Sequence, residues 1–388
     1  MTDHALPTLV LGIDTGGTYT DAVLLDYHRR HVLASCKSLT TKRDLAIGIG
    51  RVIDSIQIPD PSAVKLVSVS TTLATNAIAE GKGKRVGLAL IGYDPELIQT
   101  FDLAGRFATP EYRYFRGGHD LFGKEKEPLD LDGIVRWVEE IADRVDALAV
   151  SGYFSPLNPE HELRVQQALG SVCELPVVLG HQLSTRLGSV ERATTAALNA
   201  SLLAVLQEFV RAVRRALDKR SIKAPLMVVR GDGTLMSDEF AALTPVETIH
   251  SGPAASAMGG RFLARVDDAL VIDIGGTTTD LALIEGGQVA VGEEGATVGG
   301  YKTAVRAANL LSIALGGDSH ITWRRDKRIG LGPERVIPLA YLAAEHAQVE
   351  KQLRALAQHG WAEGRPESLE YWLLMREPRR ANELTPRQ

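Results

Sequence analysis

Apolar residues in this chain come in short runs cut by polar, glycine-containing breaks, and the period changes from one run to the next. Thr8–Ile13 is an apolar run that ends at Asp14 and the pair Gly16-Gly17, and Tyr19–Leu25 alternates as the return strand of a hairpin. Val64–Val69 predicts another strand, and Ser70–Ala79 then takes helical spacing behind a Ser-Thr-Thr start suited to an N-cap. Arg85–Ile91 predicts a strand, whereas the stretch from Asp94 to Pro128 is polar and glycine-rich and reads as a loop-rich insertion. Leu131–Arg144 and Glu160–Leu169 predict helices, each followed by a short buried strand, Ala147–Val150 and Leu175–Leu179. Arg186–Arg220 has no proline and one early glycine, Gly188, so its Ala and Leu spacing predicts a long helix connecting two lobes. Leu226–Val229 predicts a strand ending in the turn Gly231-Asp232-Gly233, and Ala269–Ile274 another that meets Gly275-Gly276. Leu342–Gln358 is helix-forming, and the end beyond Arg376 is expected to fray. Strands alternating with helices place the chain in the α/β class with mixed or parallel sheets.

Composition narrows this picture. A length of 388 residues exceeds one typical core, so two domains are expected. Hydrophobic residues at 45% and charged residues at 23% exclude wholesale disorder. The 37 glycines have no fixed period, which excludes collagen and leaves tight turns to explain. A formal charge of −5 argues against a general nucleic-acid binder. Two cysteines, Cys36 and Cys173, cannot form a disulfide framework and suit a reducing compartment. No unbroken apolar run approaches the roughly 20 residues that span a bilayer, and the start lacks a basic leader region. No membrane association and a cytoplasmic location are therefore expected.

One internal repeat carries the chemistry. Asp14-Thr15-Gly16-Gly17-Thr18-Tyr19-Thr20-Asp21 recurs as Asp273-Ile274-Gly275-Gly276-Thr277-Thr278-Thr279-Asp280, identical at six of eight positions and 259 residues apart. One copy would pass for an ordinary hairpin turn; two copies point to paired phosphate-binding hairpins. Gly16, Gly17, Thr18 and Gly275, Gly276, Thr277 would bring backbone N–H groups and hydroxyls to phosphate oxygens. Asp14 and Asp273 would repel a bare triphosphate, so they make sense as ligands of a Mg²⁺ ion held between carboxylate and phosphate. Asp21 and Asp280 either polarise the attacking group or brace their loops.

Other candidates have two readings each. Thr71 and Thr72 are N-cap residues, or with Thr75 and Asn76 they aim a helix N-terminus at an anion or at the polar edge of a substrate. His119 and Asp120, after Gly117-Gly118, are solvated loop or enter a cleft to bind metal or orient a carbonyl. Gly231, Gly233, Ser251 and Gly252 bind nucleotide, or form a turn and a helix start with Pro253 at its first turn. Dinucleotide, Walker and serine-hydrolase signatures are all missing from the sequence.

The paired loops resemble the superfamily of actin, heat-shock chaperones and sugar kinases. The detailed wording resembles one branch, the hydantoinase/5-oxoprolinase family, in its ATP-binding A-type chain. Besides the two loops, the resemblance rests on Ser70-Thr71-Thr72-Leu73-Ala74-Thr75-Asn76-Ala77, Tyr153-Phe154-Ser155, Asn158-Pro159-Glu160-His161-Glu162 and Glu191-Arg192-Ala193-Thr194-Thr195. It continues in Gly231-Asp232-Gly233-Thr234-Leu235-Met236-Ser237, Ser251-Gly252-Pro253-Ala254 and Gly316-Gly317-Asp318-Ser319. It implies two ribonuclease-H-like, actin-like ATPase lobes with a nucleotide cleft, over residues 1–185 and 186–335, and a helical tail over 336–388. It also implies ATP and Mg²⁺, with Gly316 and Gly317 among the nucleotide-binding glycines. The implied activity is ATP-dependent opening of a hydantoin- or 5-oxoproline-type cyclic amide, or activation of a related carbonyl, by phosphorylation. A B-type partner subunit would complete ring opening. Asp318 stands where the family's motif has a third glycine, and after Gly332-Pro333 the chain passes into an unrelated helical tail, so it resembles a short form. An ATP-driven activator of another enzyme and a small-molecule kinase are the alternatives.

Overall fold

Period-two burial builds the first hairpin. In the computed structural model, which describes residues 8–16, 19–41, 45–276, 278–292, 294–323, 328–338, 343–344 and 346–359, β1 (Leu9–Thr15) and β2 (Tyr19–Asp26) bury Leu9, Leu11, Ile13, Ala22 and Leu24. β3 (His31–Leu39) continues the meander, α1 (Leu45–Ser55) covers its apolar face, and β4 (Val64–Thr71) runs parallel to β1. α2 (Leu73–Ala79) follows β4 at once. Ser70 and Thr71 thus belong to the strand, and the expected helix begins three residues later. The pull of the parallel ladder on Thr71, paired with Thr15, overrides the capping preference.

β5 (Val86–Ile91) opens a second sheet, followed by α3 (Pro95–Thr100), β6 (Tyr112–Phe115), α4 (Leu131–Ile141), β7 (Ala147–Gly152), α5 (Glu160–Leu169) and β8 (Val177–Leu179). Its order is β6-β5-β7-β8, all parallel. The expected insertion at 94–128 therefore contains an integral edge strand. β6 is four residues long and half-exposed, too short to give a periodic signal. β5 and β7 are buried at every position, which is why they read as unbroken apolar runs.

After α6 (Gly180–Leu183) comes α7 (Ser189–Lys219), 31 residues and about 46 Å long. Its alanine-rich first half, Ala193, Ala196, Ala197 and Ala200, packs on β5 and β7, while Phe209, Val213 and Leu217 pack against β1, β4 and α1. By length and composition α7 would suffice to cross a bilayer, although most of its apolar stretch is buried here as the shared core of two sheets. β9 (Leu226–Val229) and β10 (Leu235–Ser237) complete the first sheet, ordered β10-β9-β4-β1-β2-β3. α8 (Asp238–Leu243) and α9 (Ser251–Ala264) follow.

Contacts divide the chain into one unit of 1–271 with 282–310, and another of 272–281 with 311–388. The division does not fall at residue 185, because α7 packs on both sheets of the first unit. β11 (Ala269–Ile274) and β12 (Thr279–Glu285) carry the chain into and out of the second unit. β13 (Gln288–Val289), β14 (Thr297–Val298) and β15 (Tyr301–Lys302) belong to the first. In the second, β16 (Leu310–Ile313) pairs with β12, β17 (Ser319–Trp323) and β18 (Ile329–Arg335) form a hairpin, and α10 (Ala347–His359) follows. The part of the expected tail beyond 359 lies outside the described residues.

Candidate functional site

The sequence repeat is also a repeat of backbone geometry. Gly16 N–H donates to the Tyr19 carbonyl at 2.9 Å, and Gly275 N–H donates to the Thr278 carbonyl at 2.8 Å. A Cβ on either glycine would stand 3.2 Å from that carbonyl oxygen, so both turns close on a position without a side chain. Gly17, Thr18 and Thr277 lie outside the described residues. At Gly276 a Cβ would meet nothing within 4 Å and the backbone is not left-handed, so no neighbour among the described residues demands glycine there.

Around the first loop, β1 and β2 set Asp14 opposite Asp21. Two like charges in direct cross-strand register repel. Lys37 on β3 offsets one of them, with its Nζ 3.2 Å from Asp21, and Ser70 Oγ donates to Asp14 Oδ1 at 2.6 Å. Thr40 Oγ1 donates to the Gly16 carbonyl and shares a hydrogen bond with Thr20, each at 2.9 Å. Thr15 Oγ1 is buried with no hydrogen-bond partner. Lys37 and Thr40 carried no signal in the sequence because the edge strand β3 was not foreseen, and Ser70 was read as a cap.

The β4–α2 junction meets the start of α9. Ser251 Oγ donates to the Thr71 carbonyl at 2.9 Å and accepts from Thr71 N–H at 3.4 Å. Thr72 N–H donates to the Thr15 carbonyl at 3.1 Å, tying the junction to the first loop. Asn76 Nδ2 donates to Thr72 Oγ1 at 3.0 Å, and Thr75 Oγ1 accepts from His250 N–H at 3.4 Å. Thr71, Thr72, Thr75, Asn76, Ser251 and Gly252 are thus brought together beside Asp14, with the first turn of the 14-residue α9 among them.

In the second unit, Gly316-Gly317-Asp318-Ser319 is stitched to the second loop. Gly317 N–H donates to the Gly275 carbonyl at 3.0 Å and Asp318 N–H to the Gly276 carbonyl at 2.8 Å. Thr279 Oγ1 donates to the Leu315 carbonyl at 2.7 Å. The Asp318 carboxylate receives Arg335 Nη1 at 2.6 Å, so the residue standing in place of a glycine anchors β18. Asp273 is the last but one residue of β11 and exposed, and Asp280 is half-buried on β12.

Two expectations take a different form. A Cβ on Gly231 would fall inside the Ile249 carbonyl, and its N–H and C=O are spent on Glu247 and Ala308, each at 2.7 Å. Gly233 turns at φ +82° with its N–H on the Arg230 carbonyl at 3.0 Å. Both glycines serve chain packing, and neither amide is left for a phosphate. Asp120 accepts from the N–H groups of Phe122 and Lys124 at 2.8 and 2.9 Å, which hold its carboxyl below the usual range and make it a loop brace. His119 is buried, its ring centroid 4.3 Å from that of His161, with Nε2 unpartnered.

Among the described residues no group of three or more His, Cys, Asp or Glu gathers to hold a metal. Single carboxylates beside glycine amides fit Mg²⁺ only when phosphate oxygens and waters complete its shell, which is how that ion binds nucleotides.

Residues 10–173 match the hydantoinase/oxoprolinase N-terminal region, and residues 192–338 match hydantoinase/oxoprolinase. The chain is 25% identical over 334 residues to caprolactamase subunit alpha of Pseudomonas jessenii, covering 80% of this chain and 48% of that one. It is 28% identical over 364 residues to the acetophenone carboxylase gamma subunit of Aromatoleum aromaticum, covering 83% and 49%. The chain thus spans about half the length of these relatives. Its fold is that of the nucleotide-free acetone carboxylase structure, with a TM-score of 0.70 at 22% identity over 85% of this chain and 51% of that one.

Proposed function

Because the chain belongs to the hydantoinase/oxoprolinase family, we propose that it is the ATP-binding chain of an enzyme that activates a cyclic amide or related carbonyl by phosphorylation. The observation that carries this reading is the duplicated turn, with Gly16 and Gly275 closing on Tyr19 and Thr278 in matching geometry. Each hairpin by itself suits phosphate oxygens held against its backbone. The start of α9 beside Asp14 adds the positive end of a helix dipole.

Asp14 in the first loop and Asp273 in the second are each a candidate Mg²⁺ ligand through a carboxylate oxygen, and the ion would neutralise phosphate charge. The Gly16 and Gly275 amides are spent on closing their own turns, and Gly276 is the position that leaves room for a phosphate oxygen against the backbone. With the phosphates fixed, positioning does most of the work. The amide oxygen takes the γ-phosphoryl group and ADP leaves. Water then adds to the activated carbon, the C–N bond breaks with proton transfer to nitrogen, and a second water releases phosphate from the acyl phosphate. Asp21, neutralised by Lys37, and Asp280 serve as loop braces in this reading. A partner subunit is part of the proposal, since the relatives are named as subunits.

The test is ATP consumption, free phosphate and ring-opened product tracked together over hydantoin, 5-oxoproline and caprolactam, with and without a co-expressed partner chain. Coupled, Mg²⁺-dependent turnover is expected. A stable phosphorylated product from the chain alone would overturn the hydrolase in favour of a kinase.

A further inference from the structure

Among the described residues, every buried apolar cluster belongs to the first unit. No apolar side chain of the second unit is buried among them. The second unit presents bare apolar strand instead. Ile272 and Ile274 on β11 and Leu311 and Ile313 on β16 are between 43% and 73% exposed. In the hairpin, Ile321 and Leu331 stand opposite each other in register and are exposed as well. Removing apolar surface from water is the dominant favourable term in folding, so a unit built in this way needs a further layer.

Alternation along the strands fixes which face is bare. Val271 and Leu310 pack on Ala254 and Ala257 of α9 and on Ala282 and Ile284 of β12. Successive side chains of a strand turn to opposite faces. Ile272 and Ile274, and Leu311 and Ile313, therefore turn away from that cluster, on two strands that both pair with β12. A sheet face meant for water carries polar side chains at such positions. An apolar face left open marks a docking surface.

The chain itself holds a matching piece. Beyond α10, outside the described residues, Leu369-Glu370-Tyr371-Trp372-Leu373-Leu374-Met375 has six apolar residues in seven, between Pro366 and Pro378. A run of this composition left in water is an aggregation hazard and needs a partner of its own. It begins ten residues after His359, the last residue of α10 in the same unit, and ten residues span at most about 33–36 Å. A short tether holds a segment at a concentration on the order of millimolar. A second copy of the chain, at micromolar concentration, would have to bind about a thousandfold more tightly to take its place.

We propose that residues 369–375 of the same chain are the layer that covers Ile272, Ile274, Leu311 and Ile313. The inference does not rest on the activity proposed above.

The test places the photoreactive residue p-benzoylphenylalanine at position 311 of the full chain. The control carries it at position 122, where Phe122 is 86% exposed in the first unit. After irradiation, intact mass separates a link within one chain from a link between two, and mass spectrometry of the digest locates it. From position 311 the link should stay within one chain and fall in 369–375, at a yield at least fivefold above that from position 122. Trp372→Asp, which puts a charge in the middle of the segment, should lower that yield at least fivefold. A link between two chains would assign the face to a second copy. That result, a link elsewhere in the chain, no link at all, or a yield that Trp372→Asp leaves unchanged would each overturn the proposal.

Discussion

Gly276→Ala separates a loop built for a ligand from a loop built for itself. A methyl group at 276 would meet no atom of the described residues within 4 Å, and the backbone there is not left-handed. Folding should therefore tolerate the change, and the loss of unfolded-state freedom should stabilise the chain by about 0.4–1 kcal/mol. A phosphate oxygen bonded to a loop N–H stands about 2.9 Å from the nitrogen, whereas a methyl carbon keeps its neighbours at about 3.5 Å or more. The methyl and the phosphate compete for one space, and the Kd for Mg·ATP should rise at least tenfold, ~1.4 kcal/mol. Gly231→Ala is the contrasting control. Its methyl would overlap the Ile249 carbonyl, so stability should fall by about 3 kcal/mol. Urea denaturation and calorimetric ATP titration of both variants supply the measurements. If Gly276→Ala binds ATP as tightly as the parent, the second loop is not a phosphate cradle, and the duplicated turn loses its functional meaning.

Asp273→Asn should lower ATP turnover at least tenfold, ~1.4 kcal/mol in the barrier, with an unchanged Tm because the side chain is exposed; retained turnover would reduce Asp273 to a turn residue. Ser251→Ala leaves the buried Thr71 carbonyl without its 2.9 Å donor and should cost about 2 kcal/mol in urea unfolding; a loss below about 0.5 kcal/mol would mean α9 is not anchored there. Burial, and after it the neighbouring His161, hold the His119 imidazole below its ordinary value of 6.5 despite the carboxylates of Glu160, Glu125 and Asp120. The unfolded chain then takes up a proton that the folded chain refuses, so the stability His119 contributes is complete above about pH 6.5 and lost as pH falls below it. His119→Gln should flatten that acid limb of the urea midpoint, and an equally steep limb in the variant would refute the assignment.

The sequence by itself determined what depends on neighbours along the chain. Runs such as Val86–Ile91 and Ala147–Val150 announce buried strands because they hold no polar side chain, whichever face they turn. The 31 residues of α7 read as helix through alanine and leucine spacing, with no proline to stop them. The duplicated Asp-x-Gly-Gly-Thr-x-Thr-Asp wording announced its own duplicated turn, since an i to i+3 bond closed on a glycine is a local event.

Tertiary structure decided what depends on chain partners far away in sequence. Ser70 and Thr71 were suited to capping, and the ladder with β1 made them strand. Gly231 and Gly276 look alike as letters. Only the Ile249 carbonyl packed against the first, and open space beside the second, tell them apart. Glu162, His181 and Arg192 are scattered over thirty residues of polar and helical sequence. They become one network because a parallel sheet ends its strands on a common edge, where peptide groups unpaired by the ladder must find partners among side chains.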